Sequence, residues 1–462
     1  MSHEPLAATP HESTVQGSSV QASVSSGAGD WPSPVRAWWT VTVLTIAYIV
    51  SFVDRTVLSL LIEPIKADLK LSDTEIGLLQ GLAFGVFYAV MGLPLGWLAD
   101  RMSRRGLIAA GATLWCMATT ACGLASSFVQ LFIARIAVGV GEAALSPAAM
   151  SLISDSFPRE RRALPIGVYA ASAALGAGLA LIAGGVVIQM VATQDAIHLP
   201  VVGELARWQA AFVLVGAGGL LIVPMLATLA EPARHELAKT PSGQRIDRFI
   251  LENANFMVRH YAAVSVYSGV IYAVLSWVPA QFIRVYGWGA GETGMRYGLV
   301  LLIFGGGGTV LGSFLAQFFA RRVRHAAIWV TALSMFGAGA LLARAGIATD
   351  AWEALTWYAP ALMIMTLPGG TAIQVIQEAV PNQLRGQASA VYYLLNSLVG
   401  LTFGPLSVGL LTDYVFQDPL RIGSALALIS VTVPPITGLL IVSTRAPFAR
   451  LTEGSAHTRT YA

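Results

Sequence analysis

Long apolar runs separated by short polar segments are the main feature of this sequence. A helix needs roughly 20 apolar residues to cross the hydrocarbon core of a bilayer, and twelve runs reach about that length. They predict an all-α membrane protein with twelve transmembrane helices, numbered here as spans 1 to 12. The predicted boundaries are 37–62, 75–100, 107–126, 128–152, 163–191, 209–230, 261–286, 293–320, 326–345, 354–378, 386–412 and 420–443.

Composition favours a membrane protein over the other classes. Hydrophobic residues make up 55% of the chain and charged residues only 11%, whereas soluble domains have roughly 25% charged residues. The formal net charge of +3 comes mostly from arginines in short loops, so we expect no nucleic-acid partner. Cys116 and Cys122 both fall in span 3 without a metal-binding pattern. We predict no cofactor, no metal site and no enzymatic activity.

The polar segments predict how the chain crosses the membrane. Residues 1–35 lack both a basic start and an apolar core, so we expect a disordered cytoplasmic tail rather than a signal peptide. Arginines are concentrated after spans 2, 4, 6 and 8, which places those loops in the cytoplasm by the positive-inside rule. With twelve spans, both termini are then cytoplasmic, and residues 446–462 form a second tail.

The two halves of the chain repeat one another. Glu75, Gly77 and Gly81 recur as Glu292, Gly294 and Gly298, and Asp155, Pro158, Arg162 and Tyr169 recur as Glu378, Pro381, Arg385 and Tyr392. We therefore predict two parallel, pseudo-symmetric six-helix halves, 36–230 and 261–445, joined by a cytoplasmic linker at 231–260. Two such halves with a site between them near the bilayer midplane are typical of alternating-access carriers.

Three ionisable residues interrupt the apolar runs, namely Asp54 in span 1, and Arg135 and Glu142 in span 4. A charge at the centre of a membrane costs about 2.5 to 3.5 kcal/mol, so such residues usually serve ion or solute movement. Arg135 and Glu142 are seven residues apart and therefore share one helix face. Asp54 and Arg135 lie at similar predicted depths and can pair across a cavity. We expect Arg135 to exchange partners, and the acid left alone to take a proton.

A static ion pair that only joins spans 1 and 4 is the alternative interpretation. Against it, the second-half positions that correspond to Arg135 and Glu142 hold Tyr358 and Met365. The duplicated scaffold therefore does without these charges. The orientation of Arg55 is left open.

Prolines predict where the helices bend. Pro147, Pro279 and Pro368 fall in spans 4, 7 and 10, near the expected cavity. A proline removes a backbone hydrogen bond and clashes with the preceding turn, so each one is a candidate break at which a gate could bend.

The loop between spans 2 and 3 carries a motif. Residues 96–105 read Gly-Trp-Leu-Ala-Asp-Arg-Met-Ser-Arg-Arg and resemble the signature of the major facilitator superfamily, except that Ser103 replaces the usual glycine. The resemblance implies the major facilitator fold and a cytoplasmic gate in which the acid pairs with arginines, with simple interfacial anchoring as the alternative. The predicted gate residues are Gly96, Asp100, Arg101, Arg104, Arg105, Asp155 and Arg162. In the second half Gly312 recurs, but Ala316 replaces the acid, so we expect a weaker gate or none there.

Within that superfamily the sequence resembles the Spinster family, including its bacterial members. The resemblance rests on Val53, Asp54 and Arg55 in span 1, on Arg135, and on residues 139–143, Gly-Val-Gly-Glu-Ala, in span 4. It implies a carrier of lysolipid- or sphingolipid-like amphiphiles with proton coupling through the acid and arginine positions. It also implies a location in the bacterial inner membrane.

Three functions are compatible with the sequence. They are a proton-coupled secondary transporter of an amphiphile, a proton symporter of a small organic anion, and a transport-dead sensor. One deep arginine among apolar walls favours an amphiphile, whereas two or more in the cavity favour a small anion. The predicted substrate contacts are the polar and aromatic residues Tyr169, Tyr272, Trp277, Gln281, Gln374, Tyr392 and Asn396. Protons and membrane lipids are the other expected partners, and we expect a monomer.

Overall fold

The computed structural model of the protein describes residues 31–193, 197–199, 203–234, 245–381 and 383–460. Most of the predicted N-terminal tail, residues 1–30, and the centre of the predicted linker, residues 235–244, lie outside the described residues. The described chain is almost entirely helical, and its long helices correspond to the twelve predicted spans.

The first half contains six spans. Spans 1 to 6 are Pro34–Leu60, Asp73–Ala99, Arg104–Cys122, Phe128–Ser156, Ala163–Ala192 and Arg207–Ala227. A short helix, Ile62–Leu69, joins spans 1 and 2, and a 3-10 turn, Arg159–Arg161, joins spans 4 and 5. A hairpin of two antiparallel strands, Ile197–Leu199 and Gly203–Leu205, lies between spans 5 and 6.

The second half repeats this arrangement. Spans 7 to 12 are Ala254–Arg284, Ala290–Ala320, Ala326–Gly346, Ala351–Ala379, Arg385–Phe416 and Ile422–Ser443. A short helix, Ile246–Glu252, precedes span 7, and a 3-10 turn, Pro419–Arg421, precedes span 12. A last helix, Arg445–Thr460, occupies most of the predicted C-terminal tail.

Within the described residues, eleven helical stretches are long and apolar enough to cross a bilayer. Span 3 is the exception, because it begins with Arg104 and Arg105 and carries several threonines. It packs against spans 4 and 6, and Thr119 on it is buried, so protein rather than lipid surrounds its polar residues. The predicted all-α membrane fold with twelve transmembrane helices is confirmed.

The two halves pair their helices in the same way, as expected of a duplicated unit. Span 1 packs against span 5, and span 3 packs against spans 4 and 6. In the second half, span 7 packs against span 11, and span 9 packs against spans 10 and 12. The repeated residues in the sequence therefore reflect a repeated three-dimensional arrangement.

Spans 4 and 10 are broken near the centre of the molecule. Span 4 breaks after Glu142, shortly before Pro147, and span 10 breaks immediately before Pro368. Proline has no N–H to continue the hydrogen-bond ladder, so the predicted breaks at Pro147 and Pro368 are confirmed. Pro279, by contrast, lies inside the continuous helix Ala254–Arg284.

Spans 8 and 11 contain π-helical turns that the sequence analysis did not predict. These turns are Leu301–Gly305 in span 8, and Asn396–Leu401 and Leu411–Phe416 in span 11. The first contacts span 5, and the second contacts span 2. Such widened turns are frequent at functional sites, and here two of them lie where one half of the protein faces the other.

The halves meet at two glycine-lined helix crossings. A Cβ atom on Gly81 of span 2 would lie 2.4 Å from the carbonyl oxygen of Thr402 in span 11. One on Gly294 of span 8 would lie 2.5 Å from the carbonyl oxygen of Leu181 in span 5. Helix backbones approach this closely only where a side chain is missing. Gly77 and Gly81 of span 2 recur as Gly294 and Gly298 of span 8. The duplication therefore explains why the two crossings are symmetric.

Candidate functional site

Four ionisable residues converge between spans 1 and 4. Asp54 and Arg55 belong to span 1, and Arg135 and Glu142 belong to span 4. Asp54, Arg135 and Glu142 are 0%, 2% and 1% exposed, and the Arg55 side chain is 15% exposed. The three residues predicted from the sequence thus lie together, with Arg55 as a fourth member of what we call the charged cluster.

Glu142 pairs with Arg55 rather than with Arg135. Its Oε2 atom lies 2.5 Å from Arg55 Nη2 and 2.6 Å from Arg55 Nε. Its Oε1 atom is buried and has no hydrogen-bond partner among the described residues. Arg55, whose orientation the sequence left open, therefore points into the protein and takes the role of cation that we had expected of Arg135.

Aromatic rings hold Arg55 in place. Its guanidinium carbon lies 5.1 Å from the ring centre of Phe52 and 4.8 Å from the ring centres of Phe84 and Tyr88. A desolvated cation over an aromatic face gains about 2 kcal/mol. A planar guanidinium can lie against rings while its edge binds an acid. Arg55 is thus positioned to hold one anionic partner inside aromatic walls.

Asp54 and Arg135 are neighbours, but their side chains form no ion pair in this conformation. Arg135 Nη1 donates a hydrogen bond of 3.2 Å to the backbone carbonyl of Asp54. Both carboxyl oxygens of Asp54 are buried and have no hydrogen-bond partner within the described part of the chain, and the same holds for Arg135 Nε. The expected pairing is therefore replaced by a backbone contact, and Asp54 is the acid left alone.

Two glycines shape span 4 around Glu142. A Cβ atom on Gly139 would lie 2.7 Å from the backbone oxygen of Phe84 in span 2, and one on Gly141 would lie 2.7 Å from the backbone nitrogen of Trp115 in span 3. Spans 2 and 3 therefore approach the backbone of span 4 closely on either side of Glu142. This packing accounts for the Gly-Val-Gly-Glu pattern, because larger residues would push the neighbouring helices away from the acid.

Four of the predicted substrate contacts lie on spans that pack against span 1 or against span 7. Tyr169 is 4% exposed and packs on another tyrosine ring, from span 1. Tyr272 lies on span 7, which packs against span 1, and Tyr392 of span 11 is 5% exposed. Asn396 begins a π-helical turn, and its buried Oδ1 has no hydrogen-bond partner among the described residues.

The other three predicted contacts have structural partners elsewhere. Trp277 is fully buried, and its Nε1 donates a hydrogen bond of 2.8 Å to a backbone carbonyl of span 11. Gln281 accepts a hydrogen bond of 2.6 Å from Tyr358, and Gln374 donates one of 2.7 Å to Glu378. In this conformation Trp277 and Gln281 join helices inside the second half. Polar and aromatic residues in a helix core and in a cavity wall look alike in a sequence, so the sequence alone does not separate the two roles.

Predicted gate residues form a network at the end of the molecule that carries residues 96–105, which we call the motif end. Arg104 is completely buried and pairs with Asp155 at the end of span 4. It also pairs with Glu231, Nε to Oε1 at 2.8 Å, and donates a hydrogen bond of 2.7 Å to the carbonyl of Pro232. The network therefore ties the loop between spans 2 and 3 to span 4 and to the segment that follows span 6.

Other predicted gate residues bind through the backbone or through rings. The carbonyl of Asp100 accepts a hydrogen bond from Arg234, and the guanidinium of Arg101 lies 3.9 Å from the ring centre of Trp97. A Cβ atom on Gly96 would meet nothing closer than 3.7 Å, so a small side chain would fit there. The expected pairing of the motif acid with motif arginines is thus replaced by a contact from Arg234.

The last two predicted gate arginines bind backbone carbonyls. Arg105 donates a hydrogen bond of 3.0 Å to Leu229, just after span 6. Arg162 donates one of 2.9 Å to Phe157, which follows span 4. Both arginines therefore stabilise loop conformations at the motif end.

Glu231 is central to this network, although the sequence analysis did not select it. It accepts hydrogen bonds from Ser103 Oγ at 2.8 Å and from the backbone N–H groups of Arg104 and Arg105 at 3.2 and 3.0 Å. A helix N-terminus favours an anion, and these are the first N–H groups of span 3. Partial burial raises the pKa of Glu231, but the hydrogen bonds from Arg104, Arg105 and Ser103 outweigh it and hold this pKa below its ordinary value. In the sequence, this role could have been inferred from the position of Glu231, an acid directly after the apolar run of span 6.

A second ion-pair cluster joins the two halves at the opposite end, which we call the Arg284 end. Arg284, at the end of span 7, binds Asp73 through Nη1 and Nη2 at 2.7 and 2.8 Å, and binds Glu63 at 2.7 Å. Lys66 also contacts Asp73. Asp413 of span 11 accepts hydrogen bonds from the first backbone N–H groups of span 2. The contacts of Arg284 and Asp413 cross between the halves, and the sequence did not indicate them.

The halves are held together mainly at the Arg284 end. There, Asp73–Gln80 of span 2 packs against Thr402–Leu410 of span 11, and Ala290–Val300 of span 8 packs against span 5. Within the described ranges, Leu145–Ser156 of span 4 and Pro368–Ala379 of span 10, at the motif end, make no comparable contact with the other half. The charged cluster is therefore closed off from the Arg284 end.

Comparison with known proteins agrees with this architecture. The sequence profile described as Major Facilitator Superfamily matches residues 44–405. An MFS-type efflux pump of Mycolicibacterium smegmatis is 30% identical over 410 residues, which cover 87% of this chain and 90% of that protein. Protein spinster of Drosophila melanogaster is 24% identical over 397 residues, 82% of this chain and 62% of that protein.

Solved structures give the same result. A bacterial homolog of the human lysosomal transporter Spinster, solved in an inward-facing and unoccupied conformation, superposes with a TM-score of 0.74 at 25% identity. The match covers 91% of this chain and 98% of that one. The twelve-helix fold thus agrees with the profile match over most of the chain. The protein belongs to the Major Facilitator Superfamily and resembles its Spinster members.

Proposed function

We propose that this transporter is a proton-coupled carrier of a lysolipid- or sphingolipid-like amphiphile that works by alternating access. The observation that carries the proposal is the pair of buried acids, of which Glu142 is bound to Arg55, whereas the carboxyl oxygens of Asp54 have no hydrogen-bond partner among the described residues. A carboxylate buried without a partner costs several kcal/mol, and protonation removes that cost. Asp54 is therefore the proton carrier in this conformation.

Coupling follows from an exchange of partners within the charged cluster. In this conformation the proton sits on Asp54, and Arg55 neutralises Glu142. An anionic group that binds Arg55 releases Glu142, whose carboxylate then needs a proton from the open side. The Arg135 guanidinium, held at the backbone of Asp54, is the cation that stabilises Asp54 once its proton leaves.

The open side is the motif end. The ion pairs of Arg284 and the two glycine-lined crossings close the opposite end. With the arginine-rich motif end in the cytoplasm, this conformation faces inward. The proposal includes a monomer in the bacterial inner membrane with both termini cytoplasmic.

Aromatic walls support an amphiphilic substrate. Arg55 is surrounded by Phe52, Phe84 and Tyr88, and Tyr272 lies on span 7, which packs against span 1. Such a site offers one cation to a polar headgroup and apolar surface to a chain. A Xenopus tropicalis relative named Sphingosine-1-phosphate transporter SPNS2, 23% identical over 398 residues, supports a substrate of this kind.

A small organic anion is the second candidate substrate. Arg55 and Arg135 are both deep, and two deep arginines were the feature expected of an anion symporter. The hexuronate transporter of Bacillus subtilis, 25% identical over 387 residues, belongs to that class of carrier. We rank this candidate second because the rings around Arg55 offer apolar surface, which suits the chain of an amphiphile better than a small hydrophilic anion.

Thermal unfolding of the purified protein separates the two candidates, because a ligand of the native state raises Tm. We expect anionic lysophospholipids or phosphorylated sphingoid bases to raise Tm, with larger shifts for longer chains at about 0.8 kcal/mol per buried methylene. Galacturonate and glucuronate should have no effect. A shift with a hexuronate and a flat response across chain lengths would replace the amphiphile with the anion.

A further inference from the structure

The closed Arg284 end contains buried polar groups that lack partners. Thr402 Oγ1 on span 11, and Gln80 Nε2 and Thr74 Oγ1 on span 2, have no hydrogen-bond partner within the described part of the chain. Thr402 and Gln80 are 2% and 8% exposed. We call these three residues the unpaired seam. Most buried polar groups in proteins are hydrogen-bonded, so the seam requires an explanation.

The unpaired seam lies where the two halves meet. A Cβ atom on Gly85 of span 2 would lie 3.0 Å from Thr402 Oγ1, so this hydroxyl faces the backbone of the other half. A Cβ atom on Gly409 of span 11 would lie 2.9 Å from the Cα atom of Thr74. Both contacts are lost when the halves separate at this end.

Gln80 lies between the Arg284 ion pairs and the charged cluster. It is seven residues after Asp73 in the helix Asp73–Gln80, so the two side chains share one helix face. Asp73 is bound by Arg284 of the second half at 2.7 Å. Phe84, four residues after Gln80, contacts Arg55. The Gln80 amide is therefore buried on the side of span 2 from which Arg284 is bound.

A π-helical turn explains why Thr402 is unpaired. A threonine within a helix usually donates its hydroxyl to the carbonyl three or four residues earlier, as Thr412 of the same span does to Val408 at 2.8 Å. Thr402 directly follows the turn Asn396–Leu401. The carbonyls of a π-helical turn are displaced from their α-helical positions, because they pair with N–H groups five residues on. The widened turn thus withholds the usual partner of the Thr402 hydroxyl.

The closed end is a balance between two opposing contributions. A polar group that is buried without a hydrogen bond is unfavourable, and opening this end lets water supply the missing bond. The ion pairs of Arg284 with Asp73 and Glu63 act in the opposite direction. They join the two halves, so they exist only while this end is closed.

We propose that the unpaired seam is a conformational device that favours opening of the Arg284 end, with Thr402 and Gln80 setting the population of the open conformation. The inference rests on the alternating access of the proposed function, but it involves neither the substrate nor the proton. Without the seam, the ion pairs and the glycine-lined crossings would keep this end closed. The seam therefore makes the two conformations close enough in free energy to exchange.

Distance measurements between spin labels test this device in the full-length protein without substrate or pH gradient. Labels at Ala67→Cys and Leu420→Cys are on exposed positions of opposite halves at this end. Arg284→Gln should enlarge the population with long distances, because it removes the ion pairs. Adding Thr402→Val, which keeps the shape of threonine without its hydroxyl, should lower the ratio of open to closed protein at least about fivefold. Adding Gln80→Met instead should have the same effect.

Matched variants separate the missing hydrogen bond from changes in packing. Thr402→Ser keeps a hydroxyl and should leave the distances of Arg284→Gln as they are. Thr412→Val removes a hydroxyl that is bonded within its own helix, so it should also leave them unchanged. Tm should not fall in Thr402→Val or Gln80→Met, because each removes a buried group without a partner. An unchanged ratio in both of these variants, or equal closure by Thr412→Val, would overturn the proposal.

Discussion

At the residue scale, the two buried acids differ in their partners. Glu142 is bound to Arg55 at 2.5 Å, whereas Asp54 has neither carboxyl oxygen bonded among the described residues. Burial without a partner favours the protonated acid, and burial beside a guanidinium favours the carboxylate. We propose that the two acids therefore hold different protonation states and that this difference serves proton coupling.

The sequence identified Asp54, Arg135 and Glu142 because charges in apolar runs are costly and therefore conspicuous. It did not identify the role of Arg55, since a neighbour on a helix points about 100° away and the phase of the helix was unknown. Glu231 was missed for a different reason. Its partner Arg104 is 127 residues away in the chain, and only the fold brings the two together.

Our first prediction concerns Glu231. The pKa of Glu231 is lowered in the folded protein, so its stabilising contribution is present above the unfolded-state pKa of about 4.5 and is lost as pH falls through the folded-state value. We expect Glu231→Gln to lower stability at pH 7 by about 1 kcal/mol, because charged hydrogen bonds are lost but solvent screens part of them. The Tm values of the variant and of the wild type should converge as pH falls below 4.5 and through the folded-state pKa.

Glu252→Gln is the matched control for this prediction, because Glu252 forms an exposed pair with Arg248 in the short helix before span 7. Exposed pairs contribute little, so its Tm should follow the wild type at every pH. A difference between Glu231→Gln and wild type that persists unchanged at low pH would show that the carboxylate charge is not what stabilises the loop.

At the element scale, the two helix crossings close one end of the molecule. Spans 2 and 11 and spans 5 and 8 approach at glycines because no side chain separates their backbones. The breaks in spans 4 and 10 were predictable from Pro147 and Pro368, whose missing N–H is a local property. The π-helical turns were not predictable, because they depend on packing between spans that are distant in sequence.

Gly81→Ala should weaken closure of the Arg284 end. The added Cβ atom would lie 2.4 Å from the Thr402 carbonyl oxygen, and overpacking of this kind costs about 1 to 3 kcal/mol. That cost falls on the closed conformation and shifts the population towards the open one by roughly five- to 150-fold. Spin labels at Ala67→Cys and Leu420→Cys, exposed positions on opposite halves, should report longer distances.

The control for this prediction is Gly92→Ala in the same span, since a Cβ atom there meets nothing within 4 Å. Its label-to-label distances should match those of the wild type. If Gly81→Ala also gives wild-type distances, the crossing does not determine which end is closed.

At the scale of the whole molecule, duplication explains most of the architecture. Both halves pair their helices alike, and each contributes one glycine-bearing span and one partner span to the crossings. The charged cluster breaks this symmetry, because it belongs to the first half alone. The Arg284 ion pairs are also not repeated. They join an arginine of the second half to acids of the first half, and only the fold shows that these residues meet.

Orientation in the membrane is a whole-molecule prediction. Arginines at the motif end predict that it is cytoplasmic. In intact cells, Ala67→Cys, at the Arg284 end, should react with a membrane-impermeant thiol reagent, and Gly243→Cys, in the linker outside the described residues, should not. The natural Cys116 and Cys122 are buried and serve as an internal background. Labelling at Gly243→Cys without labelling at Ala67→Cys would reverse the topology.

The most direct test of the account is pH-gradient-driven lysophospholipid transport by Asp54→Asn in proteoliposomes, measured alongside Tm. Asn keeps the shape of Asp54 but carries no exchangeable acid proton, so we expect transport driven by the pH gradient to fall to background. Tm should be equal or higher, because a buried acid without a partner has been removed. Asp247→Asn, an exposed acid in the short helix before span 7, should transport like the wild type. Full pH-driven transport by Asp54→Asn would contradict the account.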